Sequence, residues 1–539
     1  VNISAVAGIE KKKKIYIEDI LLEETTGTSI STSYSFAESG SYYIIAEAIA
    51  DEETVFDSTK IYIREKTIAE LKPDTYRKGI NYPSDTSAAL VLWAPLKEFV
   101  FVLGDFNNWK PTEGYQMKKD GDYFWLEIPD LEQGKEYAFQ YFIDEKIKIA
   151  HPYTEKILDP WNDEYITPEV YPNLKSFPEG KTEGIVSVLQ PGEEDYQWEI
   201  TDFQAPEKEK MVIYELLIRD FTEEHTYKAV REKLDYLEDL NINVLELMPV
   251  NEFEGNSSWG YNPSFYFAPD KYYGTKNELK KLIDECHQRG IAVVIDMVLN
   301  HSYGQSPFVQ MYMDNWTITP ENPWYNVESN FENSALTWGY DFNHESEATK
   351  ELIDSVNSFW MNEYKIDGFR FDFTKGFSNT PYGSSSWGSE HDADRIANLK
   401  RMTDEIRSRN DDAIIIFEHL ADNSEEKELA DFGILMWGNM HGSNLQAARG
   451  DVSGSNLNGA VYSERNWSQP NLIAYPESHD EQRIMHEIKL TGLTSGDYNI
   501  KNQHFLFFPV LTFFSAHFLT GLLSPGIYKI HFPILFYFA

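Results

Sequence analysis

A single cysteine, Cys286, stands in a chain of 539 residues, which excludes an internal disulfide and any Cys-based zinc site. Basic residues are scarce as well. The 47 Lys and Arg face 88 Asp and Glu, a net charge of −41 that repels phosphate and anionic lipid. Nucleic acid is therefore not an expected partner, a membrane is not favoured, and a neutral substrate is. The chain lacks a Walker-type loop, a GxGxxG after a strand, and an HExxH; His486-Glu487 has no second histidine behind it. Nucleotide and zinc chemistry have no foothold. Val1 is not an initiator methionine, so any signal peptide is expected to be already removed and the protein to lie outside the cell, at its surface or in a periplasm.

What is present describes a large folded protein. Hydrophobic residues make up 42 %, aromatics 15 % and charged residues 25 %, which rules out general disorder. At roughly 150 residues per domain the length suggests three or four domains.

Residues 1–75 carry short Thr/Ser/Tyr/Val/Ile-rich runs between acidic or Gly/Ser turns and read as a small β-sandwich. Ser33 to Ala50 resembles the closing hairpin of immunoglobulin-like accessory modules. Residues 76–163 form a second β-rich unit in which Asp120-Gly121, before the alternating Tyr123 to Ile128, marks a hairpin. Its GDFNNW segment (104–109), that hairpin, Tyr137 to Ile143 and Ala150-His151-Pro152-Tyr153 resemble the family 48 carbohydrate-binding modules. Trp109 and Trp125 are candidates either for a sugar-stacking platform or for the module's own core.

After a Pro/Gly/Glu-rich connector, 164–210, apolar strands alternate with amphipathic helices through 211–539, the signature of a parallel sheet. Val230, Leu234, Leu237 and Leu240 form one helical stripe. Leu279, Leu282, Ile283 and Cys286 form another, behind the capping pair Thr275 and Glu278 and ahead of Gly290. Seven strands are countable and an eighth would close a (β/α)8 TIM barrel, giving a multidomain protein with two β-sandwich modules ahead of the barrel.

Barrel enzymes collect reactive groups at the carboxyl ends of their strands. Here the third strand runs into Asp296-Met297-Val298-Leu299-Asn300-His301 and the fourth reads Gly368-Phe369-Arg370-Phe371-Asp372-Phe373. The fifth ends in Glu418-His419 and the seventh in Ser478-His479-Asp480. Period-two alternation puts Arg370 and Asp372 on one face and the three phenylalanines on the other. An acid closing a run of buried aliphatics is costly unless paired, and for any one of them a structural ion pair is the commoner explanation; three together call for another. Adjacent strands lie about 4.8 Å apart, close to the ~5–5.5 Å between the carboxyl groups of a retaining glycosidase. Double displacement is the chemistry this predicts.

Those four strand ends resemble the four signatures of the family 13 glycoside hydrolases, the α-amylase family: DMVLNH, GFRFD, the Glu of IIIFEH, and SHD, in order across 211–480. The resemblance implies Asp372 as nucleophile, Glu418 as general acid/base and Asp480 as the acid that stabilises the oxocarbenium-like transition state. It implies that Arg370 orients Asp372, that His301 and His479 hydrogen-bond sugar hydroxyls, that Tyr261 of Trp259-Gly260-Tyr261-Asn262-Pro263 stacks under the sugar, and that Lys375 lies on the leaving-group side. Gly376 departs from the histidine that many relatives carry. Asp372 beside Arg370 is expected to have a lowered pKa and Glu418, facing two acids, a raised one. The chemistry implied needs no cofactor. A structural calcium is left open, since Asn300 matches a family ligand, and no metal ligand set is assigned. Residues 302–344, with Trp316, Trp324, Tyr325 and Trp338, correspond to a subdomain that protrudes after strand three and walls the cleft.

The expected function is retaining endo-hydrolysis of α-1,4 bonds in starch-like α-glucans, with a pullulan-cleaving or debranching enzyme as the alternative and a non-catalytic glycan-binding protein as a further one. Transfer to a sugar instead of water uses the same residues. The 59 residues after Asp480 do not read as the expected helix, strand and C-terminal sandwich. The uncharged run Phe505 to Leu523 approaches a bilayer-spanning length but holds Pro509 and His517, so an altered or truncated end and an imperfectly closed barrel are expected rather than an anchor.

Overall fold

The computed structural model describes residues 1–37, 40–50, 53–449, 451, 453–491 and 527–530. Two compact units emerge, one of Val1–Pro160 with Lys175–Glu193, the other of Trp161–Leu174 with Glu194–Ala539.

The first unit begins with four long antiparallel strands, β1 (Asn2–Ile17), β2 (Ile20–Ser33), β3 (Gly40–Ala50) and β4 (Glu53–Ile63), in the order β2-β1-β3-β4. Where two facing layers are expected over 1–75, these strands make one sheet, with Ile3, Ile15, Ile17, Ile30 and Ile44 clustered together. Strands long enough to pair over ten or more residues satisfy their backbone in a single layer.

The carbohydrate-module segment contributes two further antiparallel sheets. One takes β5 (Gly79–Ser84), β6 (Ser87–Trp93), β8 (Lys118–Asp120) and β9 (Tyr123–Ile128). The other takes β7 (Val100–Gly104), β10 (Tyr137–Ile143), β11 (Ile147–Ile149), β12 (Ile157–Leu158) and β13 (Val186–Leu189). The Asp120-Gly121 turn joins β8 to β9, with Gly121 at φ +58°, where a glycine is cheapest. Trp109 and Trp125 are both 5 % exposed. Their indole N–H groups donate to Asp105 Oδ1 at 3.1 Å and to the Glu70 carbonyl at 3.0 Å, so both belong to the core and neither offers a free face.

The connector expected over 164–210 is not a free linker. Val186–Leu189 is β13, paired with both β10 and β12. Further on, the backbone N–H groups of Glu199 and Ile200 donate to Asp284 at 2.8 and 2.9 Å, fastening this stretch to a barrel helix.

Eight parallel strands close the barrel: β14 (Val212–Leu216), β15 (Val244–Leu247), β16 (Ala292–Met297), β17 (Gly368–Phe371), β18 (Ile414–Phe417), β19 (Leu435–Asn439), β20 (Leu472–Tyr475) and β21 (Ile527–Ile530). The last pairs with β20 on one side and β14 on the other, so the ring closes where an imperfect closure is expected. Phe505 to Leu523 and the end beyond Ile530 lie outside the described residues. Among the described residues no helix is long and apolar enough to cross a membrane.

Ile213, Val244, Val294, Ile416, Trp437 and Ile473 pack together as the barrel core. At Gly368 a Cβ would lie 1.9 Å from the Ile414 carbonyl oxygen, so only glycine lets β17 and β18 approach this closely. The stripe from Val230 to Leu240 divides into two short helices, α1 (Tyr227–Arg231) and α2 (Leu234–Asp239), with Val230, Leu234 and Leu237 buried. Helix α3 (Lys276–Gln288) follows the expected pattern: Thr275 Oγ1 accepts the Glu278 N–H at 3.2 Å, and Gly290 at φ +73° follows its end. Cys286 is fully buried there, and burial pushes its thiol up. Two longer helices, α4 (Glu347–Glu363) and α5 (Ala393–Arg409), and the shorter α6 (Asn423–Asp431) flank the fourth and fifth strands.

Candidate active site

The register of the parallel strands decides what meets at the barrel mouth. Asp296 of β16, Arg370 of β17 and Ile416 of β18 lie side by side, and two residues further on Asp372 and Glu418 leave neighbouring strand ends. Arg370 is fully buried. Its Nη1 donates to Asp296 Oδ1 and to Asp372 Oδ1, both at 2.8 Å, and its Nη2 lies 3.2 Å from Glu418 Oε2. The guanidinium rests over the Trp437 ring, 4.3 Å from the centroid. Phe369 and Phe371 stack on each other, as the alternation requires.

Three carboxyls around one cation cannot all be ionised cheaply in a dry site. Burial raises Asp372 well above the usual carboxylate range, against the pull of Arg370. Asp296 is raised by burial too. At Glu418 burial also pushes upward, but Arg370 and the Phe373 N–H outweigh it, and the net shift is downward. This reverses the expected split. Glu418 takes Nη2 and a backbone donor, the Phe373 N–H at 2.9 Å, whereas Asp372 shares Nη1 with Asp296. The arrangement of donors thus favours the ionised form at Glu418 more than at Asp372.

Tyr261 stacks on His479, ring centroids 5.0 Å apart, and donates its hydroxyl to Asp296 Oδ2 at 2.7 Å. His301 departs from expectation: it is 3 % exposed, its Nε2–H donates to the Tyr261 carbonyl at 2.9 Å and its Nδ1 accepts from Asn300 Nδ2 at 3.2 Å. Burial lowers it to about 4, so it is neutral, and both ring nitrogens already have protein partners rather than awaiting a sugar hydroxyl. His301 instead braces the loop that carries Tyr261. Among the described residues no acceptor bonds Lys375 Nζ, whose pKa burial lowers while Glu418 opposes the shift. Asp480, with 53 % of its side chain exposed, lies 3.3 Å from His479 Nε2. The site therefore collects Tyr261, Arg370, Asp372, Glu418, His479 and Asp480, with Lys375 close enough to Glu418 to feel its charge.

Two further acids, Asp296 and Glu215, belong to the site without a motif role. Asp296 sits inside the first signature with the same inward parity as Arg370, which could have identified it. Glu215 closes the apolar run Val212–Leu216 and clasps His479 through two hydrogen bonds of 3.1 Å; its signal was another buried acid at a strand end.

In the subdomain 302–344, Trp324 and Tyr325 are buried, whereas Trp316 is 76 % and Trp338 38 % exposed, the latter edge-on to Phe373 at 4.9 Å. For a calcium ion, one donor fits: Asn300 Oδ1 is buried without a hydrogen-bond partner. No group of three or more His, Cys, Asp or Glu is placed to hold a metal among the described residues, and a Cβ on Gly376 would lie 1.6 Å from that same oxygen. A calcium shell is not completed here, and no chemical step passes through one.

Residues 170–433 match the family description "Alpha amylase, catalytic domain", and residues 78–162 match "Carbohydrate-binding module 48 (Isoamylase N-terminal domain)". Malto-oligosyltrehalose trehalohydrolase of Saccharolobus solfataricus is 27% identical over 279 residues, 50% of this chain and 43% of the relative. The 1,4-alpha-glucan branching enzyme GlgB of Photobacterium profundum is 27% identical over 364 residues, 64% of this chain and 47% of the relative. The chain thus spans about half the length of these curated relatives. In fold it is similar to the pullulanase of Paenibacillus barengoltzii complexed with maltohexaose and alpha-cyclodextrin, with TM-score 0.60 and 19% identity over 86% of this chain and 74% of that one. The Group B Streptococcus pullulanase SAP aligns over 98% of this chain and 73% of its own, with TM-score 0.57 and 16% identity. A closed eight-stranded parallel barrel with acids at its mouth, the match over 170–433 that spans its first five strands, and the match over the module ahead place this chain in the α-amylase family, family 13 of the glycoside hydrolases, with a family 48 carbohydrate-binding module.

Proposed function

We propose that the protein cleaves internal α-1,4 bonds of starch-like α-glucans with retention, by double displacement. The observation that carries this reading is that Asp372 and Glu418, from adjacent strands, are held by one guanidinium. Adjacent-strand carboxyls suit a nucleophile and an acid that act from either side of one glycosidic bond, where inverting chemistry needs room for a water between them.

In the first step Asp372 Oδ bonds to the anomeric carbon as the bond to the leaving oxygen breaks, and Glu418 delivers its proton to that oxygen. In the second, Glu418 takes a proton from water, whose oxygen displaces Asp372. The reaction needs Asp372 ionised and Glu418 protonated, the opposite of the directions in which burial and Arg370 push them without a sugar. Arg370 touches both carboxyls and compensates whichever is ionised. A neutral sugar that excludes water and places a basic leaving oxygen beside Glu418 favours the productive arrangement. The Lys375 ammonium lies close enough to oppose negative charge on the Glu418 side, and the Tyr261 ring and the His479 imidazolium line the same cleft.

Transfer to a second glucan is the other reading, favoured by the branching-enzyme relatives; cleavage of α-1,6 bonds is supported by the pullulanase likeness. Incubation with soluble starch, pullulan and a cyclic dextrin separates them. The proposal expects new reducing ends from starch, released first as the α-anomer by proton NMR, with little release from pullulan. Lost iodine staining without new reducing ends would make it a transferase, and maltotriose from pullulan a debranching enzyme.

A further inference from the structure

Glu215 comes from the first barrel strand and His479 from the loop after the seventh, 264 residues apart, yet they form a two-pronged clasp. The His479 backbone N–H donates to Glu215 Oε2 and its ring Nδ1 to Glu215 Oε1, both at 3.1 Å, and the Glu215 side chain is fully buried. On the far side of the ring, Nε2 lies 3.3 Å from Asp480 Oδ1. Nδ1 thus faces a carboxylate oxygen, which only accepts, so it carries a hydrogen, and the second carboxyl beside Nε2 favours the doubly protonated ring. The stacked Tyr261 ring, with Trp259 at 5.8 Å and Trp437 at 6.4 Å, leaves the imidazole little room to turn.

We infer that Glu215 is a positioning residue that keeps His479 doubly protonated and holds the imidazolium beside Asp480, so that the third acid of the cleft has its cationic neighbour fixed from the opposite edge of the barrel sequence. The part of this that concerns catalysis rests on the proposed glycosidase reading; the clasp itself does not. The charged groups around the ring are Glu215 on β14, Asp480 beside it, Asp296 on β16, Arg370 on β17 and Glu418 beyond β18. Burial and Arg370 oppose the imidazolium; Glu215, at contact distance, and Asp480 outweigh them and lift it to about 9. A loosely held Asp480, half exposed as it is, would otherwise sample several rotamers and lose the alignment on which transition-state stabilisation depends.

The test is a proton titration of the histidine Cε1–H resonances of the whole chain, with His479 assigned by its loss in His479→Gln. It is run on the wild type, Glu215→Gln and Glu215→Asp, with kcat and KM on soluble starch measured for each. In the wild type the His479 resonance is expected to stay at its protonated position up to pH 8. In Glu215→Gln the midpoint is expected to fall by about one pH unit or more, and kcat by about tenfold with KM little changed, the pattern of an interaction made in the transition state. Glu215→Asp, which keeps the charge, is expected to restore most of the midpoint. A wild-type midpoint below pH 7, or the same midpoint with Gln at 215, overturns the inference. If Glu215→Gln does not fold, the wild-type titration decides alone. A chain that shows the titration shift but no glycosidase activity would sink the catalytic reading and leave the clasp standing.

Discussion

Phe373, immediately after Asp372, adopts the left-handed region at φ +40° and donates its backbone N–H to Glu418 Oε2 at 2.9 Å. A bulky residue is strained there, and the strain is held by packing: its ring meets Trp338 at 4.9 Å and Phe331 at 5.5 Å, both from the subdomain after strand three. The turn that ends β17 is thereby tied to the wall of the cleft, and one carboxyl of the proposed pair is held by the backbone next to the other.

Replacing Phe373 separates the ring from the backbone. Phe373→Ala keeps the left-handed cost and loses the packing, an expected destabilisation of about 3–5 kcal/mol. Phe373→Gly loses the packing but tolerates the conformation, and should be about 1 kcal/mol more stable than the alanine variant. Urea unfolding measures both; an alanine variant as stable as the glycine one would remove the strain argument.

Arg370 is the cation that lies against all three of Asp296, Asp372 and Glu418. Arg370→Met leaves those acids buried and unpaired, and about 3–5 kcal/mol of stability should go with activity on starch. Arg370→Lys keeps the charge but not the fork, so it should unfold between the two in a thermal melt.

The two proposed catalytic carboxyls are told apart by leaving group. Glu418→Gln should slow starch hydrolysis by about 10²- to 10⁴-fold while retaining sugar binding, and should turn over an aryl maltoside with an acidic phenol far better than starch. Asp372→Asn should be slow on both. Near-normal hydrolysis of starch by Glu418→Gln would refute its assignment as the acid.

Gly376 is closed to a side chain by Asn300 Oδ1. Gly376→His, which restores the residue common in the family, should therefore destabilise by at least about 1–3 kcal/mol through overpacking. Adding Asn300→Ala should recover part of that loss, and a double-mutant cycle in unfolding free energy reads the coupling.

Acid should weaken the first unit through His151, which is fully buried, accepts the Tyr153 N–H at Nδ1 and is lowered to about 4 by burial. Between pH 6.5 and about 4 the unfolded chain binds a proton there and the native one does not. Stability from this group is therefore complete above pH 6.5 and is lost as pH falls through that window, by about 1.4 kcal/mol per pH unit. Asp341, raised to about 7 by burial, acts in the opposite sense in the barrel unit, binding its proton natively between pH 7 and 3.8. In urea unfolding of the first unit at pH 7, 6 and 5, His151→Gln should flatten the acid slope by about one proton; an unchanged slope would show that His151 is not the group responsible.

Seven of the barrel strands, the α3 helix with its Thr275 cap and Gly290 stop, and the three acids at strand ends were legible because each depends on local period and spacing, which the chain carries in one dimension. The inward parity of Arg370 and Asp372 followed from the same alternation. Features that depend on contacts distant in sequence were not legible, the reversed pKa split and the partners of His301 among them. The connector 164–210 contributes β13 because its partners β10 and β12 are distant in sequence. The four strands of 1–63 form one sheet because of their pairing length, which composition does not encode.

From the sequence alone came the kinds of residue at the barrel mouth and their order; the tertiary structure alone decided which of them share a proton and which share a partner. Protonation in a dry cleft depends on distances between groups far apart in the chain, from 45 residues for Phe373 and Glu418 to 264 for Glu215 and His479. Glu418 holds its charge because a left-handed turn and Arg370 reach it, and His479 holds its charge because Glu215 crosses the barrel seam to meet it. Neither contact has a period or a motif to announce it.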